Sequence, residues 1–190
     1  SDLSLKLPAT VGTAGQVLRN SSTPGTLEFG GLGGGITMVD NWIITTDYST
    51  NGQNLMDSNW GRQTDNITGI GTIGSAMTQS SGVFTFPSTG VYLVNLQLYW
   101  TANGGGRTYL GGLQKLTVDG GSNWVNKSAF YSNGYQNTAY TYLENSQIYD
   151  ITDTSNRKVQ FHSEASDTST LGGSTDLKRS GVTFIRLGDT

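Results

Sequence analysis

The stretch Ser81–Trp100, SGVFTFPSTGVYLVNLQLYW, constrains this chain more than any other. From Val91 onward it alternates. Tyr92, Val94, Leu96, Leu98 and Trp100 fall on one face, and Val91, Leu93, Asn95, Gln97 and Tyr99 on the other. A period of two is the signature of a strand with one face in a core. Val83, Phe84, Thr85 and Phe86 form a second apolar strand, joined to the first by a turn that Pro87 and Gly90 punctuate. Val91 and Leu93 oppose the core face, so the second face of the long strand must be covered as well.

The rest of the composition agrees with β structure. Of 190 residues, 27 are Gly, and only 13% are charged, against a usual charged share of about 25%. Polarity comes from Ser, Thr, Asn and Gln, and the helix formers Lys, Glu and Ala are sparse. Strands are predicted over Ile36–Thr46, Val83–Phe86, Val91–Thr101, Leu113–Val118, Trp124–Tyr131, Ala139–Leu143, Ser146–Ile151, Lys158–Ser163 and Gly181–Leu187. Asp47–Trp60 is polar and reads as a long loop. Eight to ten strands separated by Gly and Asn turns predict a β-sandwich.

Residues 1–35 differ from the rest. They close on FGGLGGG, Phe29 to Gly35, which reads as a hinge between a 1–35 N-terminal segment and a 36–190 domain. Within the first, Gln16-Val17-Leu18, a polar turn at Ser21–Gly25 and a return strand Leu27–Phe29 form a hairpin too small to bury itself.

Two resemblances follow from these residues. The segment Gly82-Val83-Phe84-Thr85-Phe86-Pro87-Ser88-Thr89-Gly90-Val91-Tyr92 is similar to the "Gly, apolar, Phe, x, x-Pro, x, x, Gly, apolar, Tyr" hallmark of jelly rolls of the tumour necrosis factor and complement globular-head type. Phage tail-fibre and virion-surface proteins carry close versions of it. Ile151–Phe161 and the closing Val182–Leu187 are similar to the family's later strands. The hairpin Gly12–Gly30 resembles a module of phage tail-fibre stalks: Gly12, Gly15, Gln16, Val17 and Leu18 match, with Phe29 where Trp is usual. The resemblance implies an all-β jelly-roll knob behind a short extended or β-hairpin stalk. It also implies a homotrimer whose subunits cover the Val91 face, with Val91, Leu93 and Tyr99 as subunit contacts. Val17, Leu18, Leu27 and Phe29 become candidate attachment residues toward other virion proteins.

Catalytic chemistry finds little support. Cys is absent, which removes disulfides, thiolate metal sites and a Cys nucleophile. His162 is the lone histidine, too few for a multi-His zinc site, and no Gly-x-Ser-x-Gly elbow accompanies it. Gly69–Gly74 spells GxGxxG, but the SAMTQSSG after it cannot form the helix a dinucleotide site needs. No Gly-Lys pair exists for a P-loop. The scattered aspartates lack calcium-loop spacing; Asp150 and Asp153 flank a turn that they are expected to cap. No catalytic, cofactor or metal residue is therefore assigned, and no enzyme activity is expected. Net charge is −3 with no basic block, so no nucleic-acid partner is expected. No run of about 18 apolar residues exists to span a membrane as a helix. The first residues lack a signal peptide's basic start and apolar core. Asn20, Asn66 and Asn126 match the glycosylation sequon at chance level in so Asn- and Ser-rich a chain.

The aromatics carry more. Tyr131, Asn133, Tyr135 and Asn137 combine rigid rings with hydrogen-bonding amides, the mixture of adaptable recognition surfaces, and form the candidate receptor surface. Tyr140 and Tyr142 alternate and are expected to pack inside the sandwich. Together these readings point to a non-enzymatic, homotrimeric knob on the surface of a phage virion, a tail fibre or capsid appendage, attaching to a host glycan or protein. The alternatives are a carbohydrate-binding module or polysaccharide depolymerase of β-sandwich type, and a secreted signalling or adhesive jelly roll.

Overall fold

The structure is a computed structural model and describes residues 4–31, 35–63, 72–134 and 140–190. The chain divides into two compact units, Ser1–Gly35 and Ile36–Thr190. In the first, β1 (Gln16–Asn20) pairs antiparallel with β2 (Leu27–Gly31), with Leu18 opposite Phe29. Lys6 adds a parallel bridge beside Thr26. Arg19 and Glu28 form an exposed ion pair at 3.0 Å.

Among its described residues the second unit holds eleven strands: β3 (Met38–Ile44), β4 (Tyr48–Leu55), β5 (Trp60–Gly61), β6 (Thr78–Ser80), β7 (Val83–Thr85), β8 (Gly90–Ala102), β9 (Arg107–Thr117), β10 (Val125–Gly134), β11 (Tyr140–Ile151), β12 (Lys158–Leu171) and β13 (Gly181–Gly188). Among the described residues there is no helix. One layer runs β11-β8-β13-β3-β5, every pair antiparallel. The other is built on β12, which pairs β9 along one side and β7, then β4, along the other; β10 adds to β9 and β6 to β7. The last residues of β12 cross to pair the end of β8, joining the two layers.

The core lies between the layers. Tyr92, Val94, Leu96, Leu98 and Trp100 of β8 are all fully buried, as their alternation requires. Phe84 stands at the centre. Its ring meets those of Trp42, Trp60, Phe161 and Phe184 at 5.0–5.4 Å. These edge-on and tilted arrangements suit ring quadrupoles. The interior also carries polar groups, several of them partnered, although the buried Trp100 Nε1 has no partner. Gln114 Nε2 donates to the Asn145 carbonyl at 3.0 Å, and Tyr149 Oη donates to Gln114 Oε1 at 3.3 Å. The buried Asp40 carboxylate accepts from Trp42 Nε1, Met77 N and Arg62, whose guanidinium lies over the Trp42 ring.

The hallmark segment has a physical basis here. Gly90 sits at φ 147°, where a Cβ would stand 2.6 Å from the Gly188 carbonyl oxygen. Tyr92 Oη donates to the Ser88 carbonyl at 2.9 Å, tying the strand to its own turn.

Three sequence expectations need correction. Asp47–Trp60 is not a loop throughout: Tyr48–Leu55 is the edge strand β4, whose backbone pairs β12 while its polar side chains hide the pattern. The two short strands expected at 139–151 are one strand, β11, with Asn145 turned inward. Tyr140 and Tyr142 do not pack inside; they are 69% and 54% exposed, because Leu143, Tyr149 and Ile151 take the inward positions of β11.

Candidate functional site

On the outer face of the β12 layer, three strands bring together residues remote in sequence. Tyr131 on β10 and Glu164 on β12 are both register partners of Gly111 on β9. Gly111 is the enabling residue. A Cβ there would stand 2.3 Å from Tyr131 Cδ1 and 2.2 Å from the Phe130 carbonyl oxygen. Without one, the Tyr131 ring lies across β9 and its hydroxyl donates to Glu164 Oε2 at 2.7 Å. A glycine inside a strand marks such a close approach. Tyr109 stands two residues earlier, and its ring meets that of Tyr131 at 5.9 Å and 81°. Thr108, Tyr109, Tyr131, Asn133 and Glu164 line an open cavity of about 380 Å³. Burial, then the bond to Glu164, pushes the Tyr131 phenol up to about 12, so it remains a donor across the physiological range.

Of the candidate receptor residues, Tyr131 and Asn133 line this cavity. Tyr135 and Asn137 lie outside the described residues, as do Asn66 and the first three residues of the GxGxxG stretch. Tyr109 and Glu164 escaped sequence reading. The signal that points to them is Gly111-Gly112 in the middle of an otherwise regular strand.

A second cavity of about 440 Å³ is lined by Asn41, Arg62, Gln63 and Lys178 among others. Its cations are held by the protein's own acceptors. Arg62 pairs with Asp40, while Lys178 reaches Asn41 and Thr183, and burial lowers its ammonium pKa.

The outer face of the other layer carries the candidate subunit contacts. Val91, Leu93 and Tyr99 all point to it, each half-buried. Leu93 is flanked across strands by Ile148 and Ile185, and Ile185 by Val39, an apolar row over four strands. Tyr99 stacks on Tyr140 at 5.5 Å and 23°. Between these two rows the face is polar, with Asn95 donating to Ser146 Oγ at 3.0 Å.

In the N-terminal unit, Leu18, Leu27 and Phe29 share one face of the hairpin, and Val17 lies on the other. Leu18 is 46% exposed. His162, on the outer face of β12, has Nε2 3.0 Å from Gln160 Nε2 and a buried Nδ1 without a partner. Asp153 caps its turn, accepting from Ser155 N and from Asn156 N and Nδ2. No cluster of three His, Cys, Asp or Glu suited to a metal exists among the described residues.

Comparison with protein-family models and with curated proteins found no match. Solved structures do match. Eiger TNF from S. frugiperda aligns with TM-score 0.61 at 13% identity, covering 82% of this chain and 95% of that one. Murine APRIL at pH 5.0 aligns with TM-score 0.55 at 12% identity, and at pH 8.5 with 0.54 at 11%; each covers 79% of this chain and 98% of that chain. The fold is a TNF-like jelly roll. At such identities the likeness concerns the fold alone, and the TNF-like sandwich now supplies the frame for both faces. One presents an apolar row and a stacked tyrosine pair, the other a cavity lined by two tyrosines and a carboxylate.

Proposed function

We propose that this chain is a non-enzymatic, homotrimeric TNF-like knob on a phage virion, a tail fibre or capsid appendage, that attaches to a host-surface glycan. The observation that carries the trimer is the row Ile148–Leu93–Ile185–Val39 on the outer sheet face. An apolar row of this length on a sheet face needs a cover, and a second and third copy of the same face supply it. The virion setting rests on the hairpin Gly12–Gly30 and its likeness to tail-fibre stalk modules. Leu18, Leu27 and Phe29 offer an apolar face to a virion partner or to equivalent hairpins. The attachment site is the Tyr109/Tyr131/Glu164 cavity: aromatic rings stack on sugar rings, and a carboxylate accepts from hydroxyls. Three such sites per knob raise a weak affinity by avidity. Sparse charge limits nonspecific ionic adsorption.

A polysaccharide depolymerase of similar shape is the weaker reading. Glycoside hydrolysis uses two convergent carboxylates, and Glu164 is the only carboxylate among the cavity's described lining residues. The test is a bacterial glycan array probed with the full chain. Saturable binding lost on Tyr109→Ala supports attachment; binding no stronger than a control protein removes it. Release of oligosaccharide from a bound glycan overturns the non-enzymatic reading.

A further inference from the structure

We infer that the Tyr109/Tyr131/Glu164 cavity selects a ligand bearing an organic ammonium group, such as a free amino sugar or a choline-type headgroup. This deepens the attachment reading, on which its biological setting rests.

The cavity's own chemistry is one-sided. Glu164 is half-buried, and no cationic side chain lies within ion-pair distance of it among the described residues. Tyr131 Oη satisfies one acceptor position on Oε2, whereas a carboxylate offers about four. Lys115, also on β9, donates instead to Gln53 Oε1 at 2.9 Å. Tyr131 has spent its hydroxyl proton on Glu164, so it presents only lone pairs and its ring to a ligand. Tyr109 adds a second ring at 81°. The described lining therefore presents a half-buried carboxylate and two π-systems, with no positive charge.

Each of these favours a positive donor. A carboxylate gains more from a charged hydrogen-bond donor than from a neutral one. Tyrosine faces attract an ammonium placed over the ring through the ring quadrupole. An anionic ligand meets repulsion from Glu164. A neutral hydroxyl forfeits both the charge pairing and the cation–π attraction.

The experiment is calorimetric titration of the full chain with glucosamine, choline, N-acetylglucosamine and glucose, repeated on Glu164→Gln and Tyr109→Ala. Glutamine keeps the shape of Glu164 and still accepts from Tyr131, and thermal unfolding verifies that both variants are folded. Saturable binding of glucosamine or choline, at least about tenfold tighter than N-acetylglucosamine or glucose and reduced about tenfold in Glu164→Gln, is the expected result. Preference for glucosamine identifies an amino sugar as the source, and preference for choline an alkylammonium headgroup. Equal binding of glucosamine and N-acetylglucosamine, binding indifferent to Glu164→Gln or Tyr109→Ala, or no saturable binding of either cation overturns the inference. Adsorption of the chain to glycan arrays is scored in parallel. Adsorption without ammonium selectivity removes this inference and leaves attachment standing; ammonium binding without adsorption does the reverse.

Discussion

Gly111 shows how one missing Cβ shapes a surface. The Tyr131 ring occupies the space a side chain would fill, so Gly111→Ala must displace the ring from Glu164 or push β10 off β9. The expected cost is about 1–3 kcal/mol of unfolding free energy in urea, with Tyr131 titrating closer to an ordinary phenol. An unchanged stability and an unchanged phenol titration would contradict this geometry. His162 offers a second test. Burial first, and Lys115 second, lower its pKa from 6.5 to about 4. The unfolded chain therefore binds a proton that the folded chain refuses. Stability is fully present above pH 6.5 and is lost as pH falls from 6.5 toward 4. Comparing urea unfolding of the native chain with His162→Gln across that range should show the native curve dropping relative to the variant. Parallel curves would mean the ring is not desolvated.

At the scale of elements, what the sequence discloses depends on how the two faces of a strand differ. β8 alternates apolar and mixed positions, and the structure buries the Tyr92 face completely. β4 carries YSTNGQNL, almost without apolar residues, and is held by backbone pairing to β12, which leaves no periodic trace. β12 runs past the expected Ser163 to Leu171 through the polar SEASDTSTL for the same reason. β11 misleads differently. Its tyrosines at 140 and 142 are conspicuous, but its inward face is built from Leu143, Asn145, Tyr149 and Ile151. The candidate site was half legible, since Tyr131 and Asn133 stand in one local run. Tyr109 and Glu164 join them only through register on β9 and β12, which a linear pattern does not encode. Packing at this scale is tested at Phe84, where four rings from β3, β5, β12 and β13 converge. Phe84→Ala should cost about 3–5 kcal/mol by denaturant unfolding. A loss under 1 kcal/mol, well short of that range, would mean the ring cluster is not the centre of the core.

For the whole molecule, the proposed function assigns the two outer sheet faces of the TNF-like sandwich separate tasks: one to meet copies of the same chain, the other to meet a ligand. The two are separable by mutation. Leu93→Asp puts a charge in the middle of the apolar row but leaves the β8 core face untouched. It should dissociate the assembly while circular dichroism and ammonium binding persist. Glu164→Gln should do the converse, sparing assembly and removing ligand selectivity. The proposed trimer buries the apolar sheet face, and sedimentation equilibrium of the full chain at micromolar concentration tests that directly. The expected result is a single species of three times the 20.3 kDa chain mass, reverting toward one chain mass in Leu93→Asp. A native chain that sediments as a monomer would contradict it.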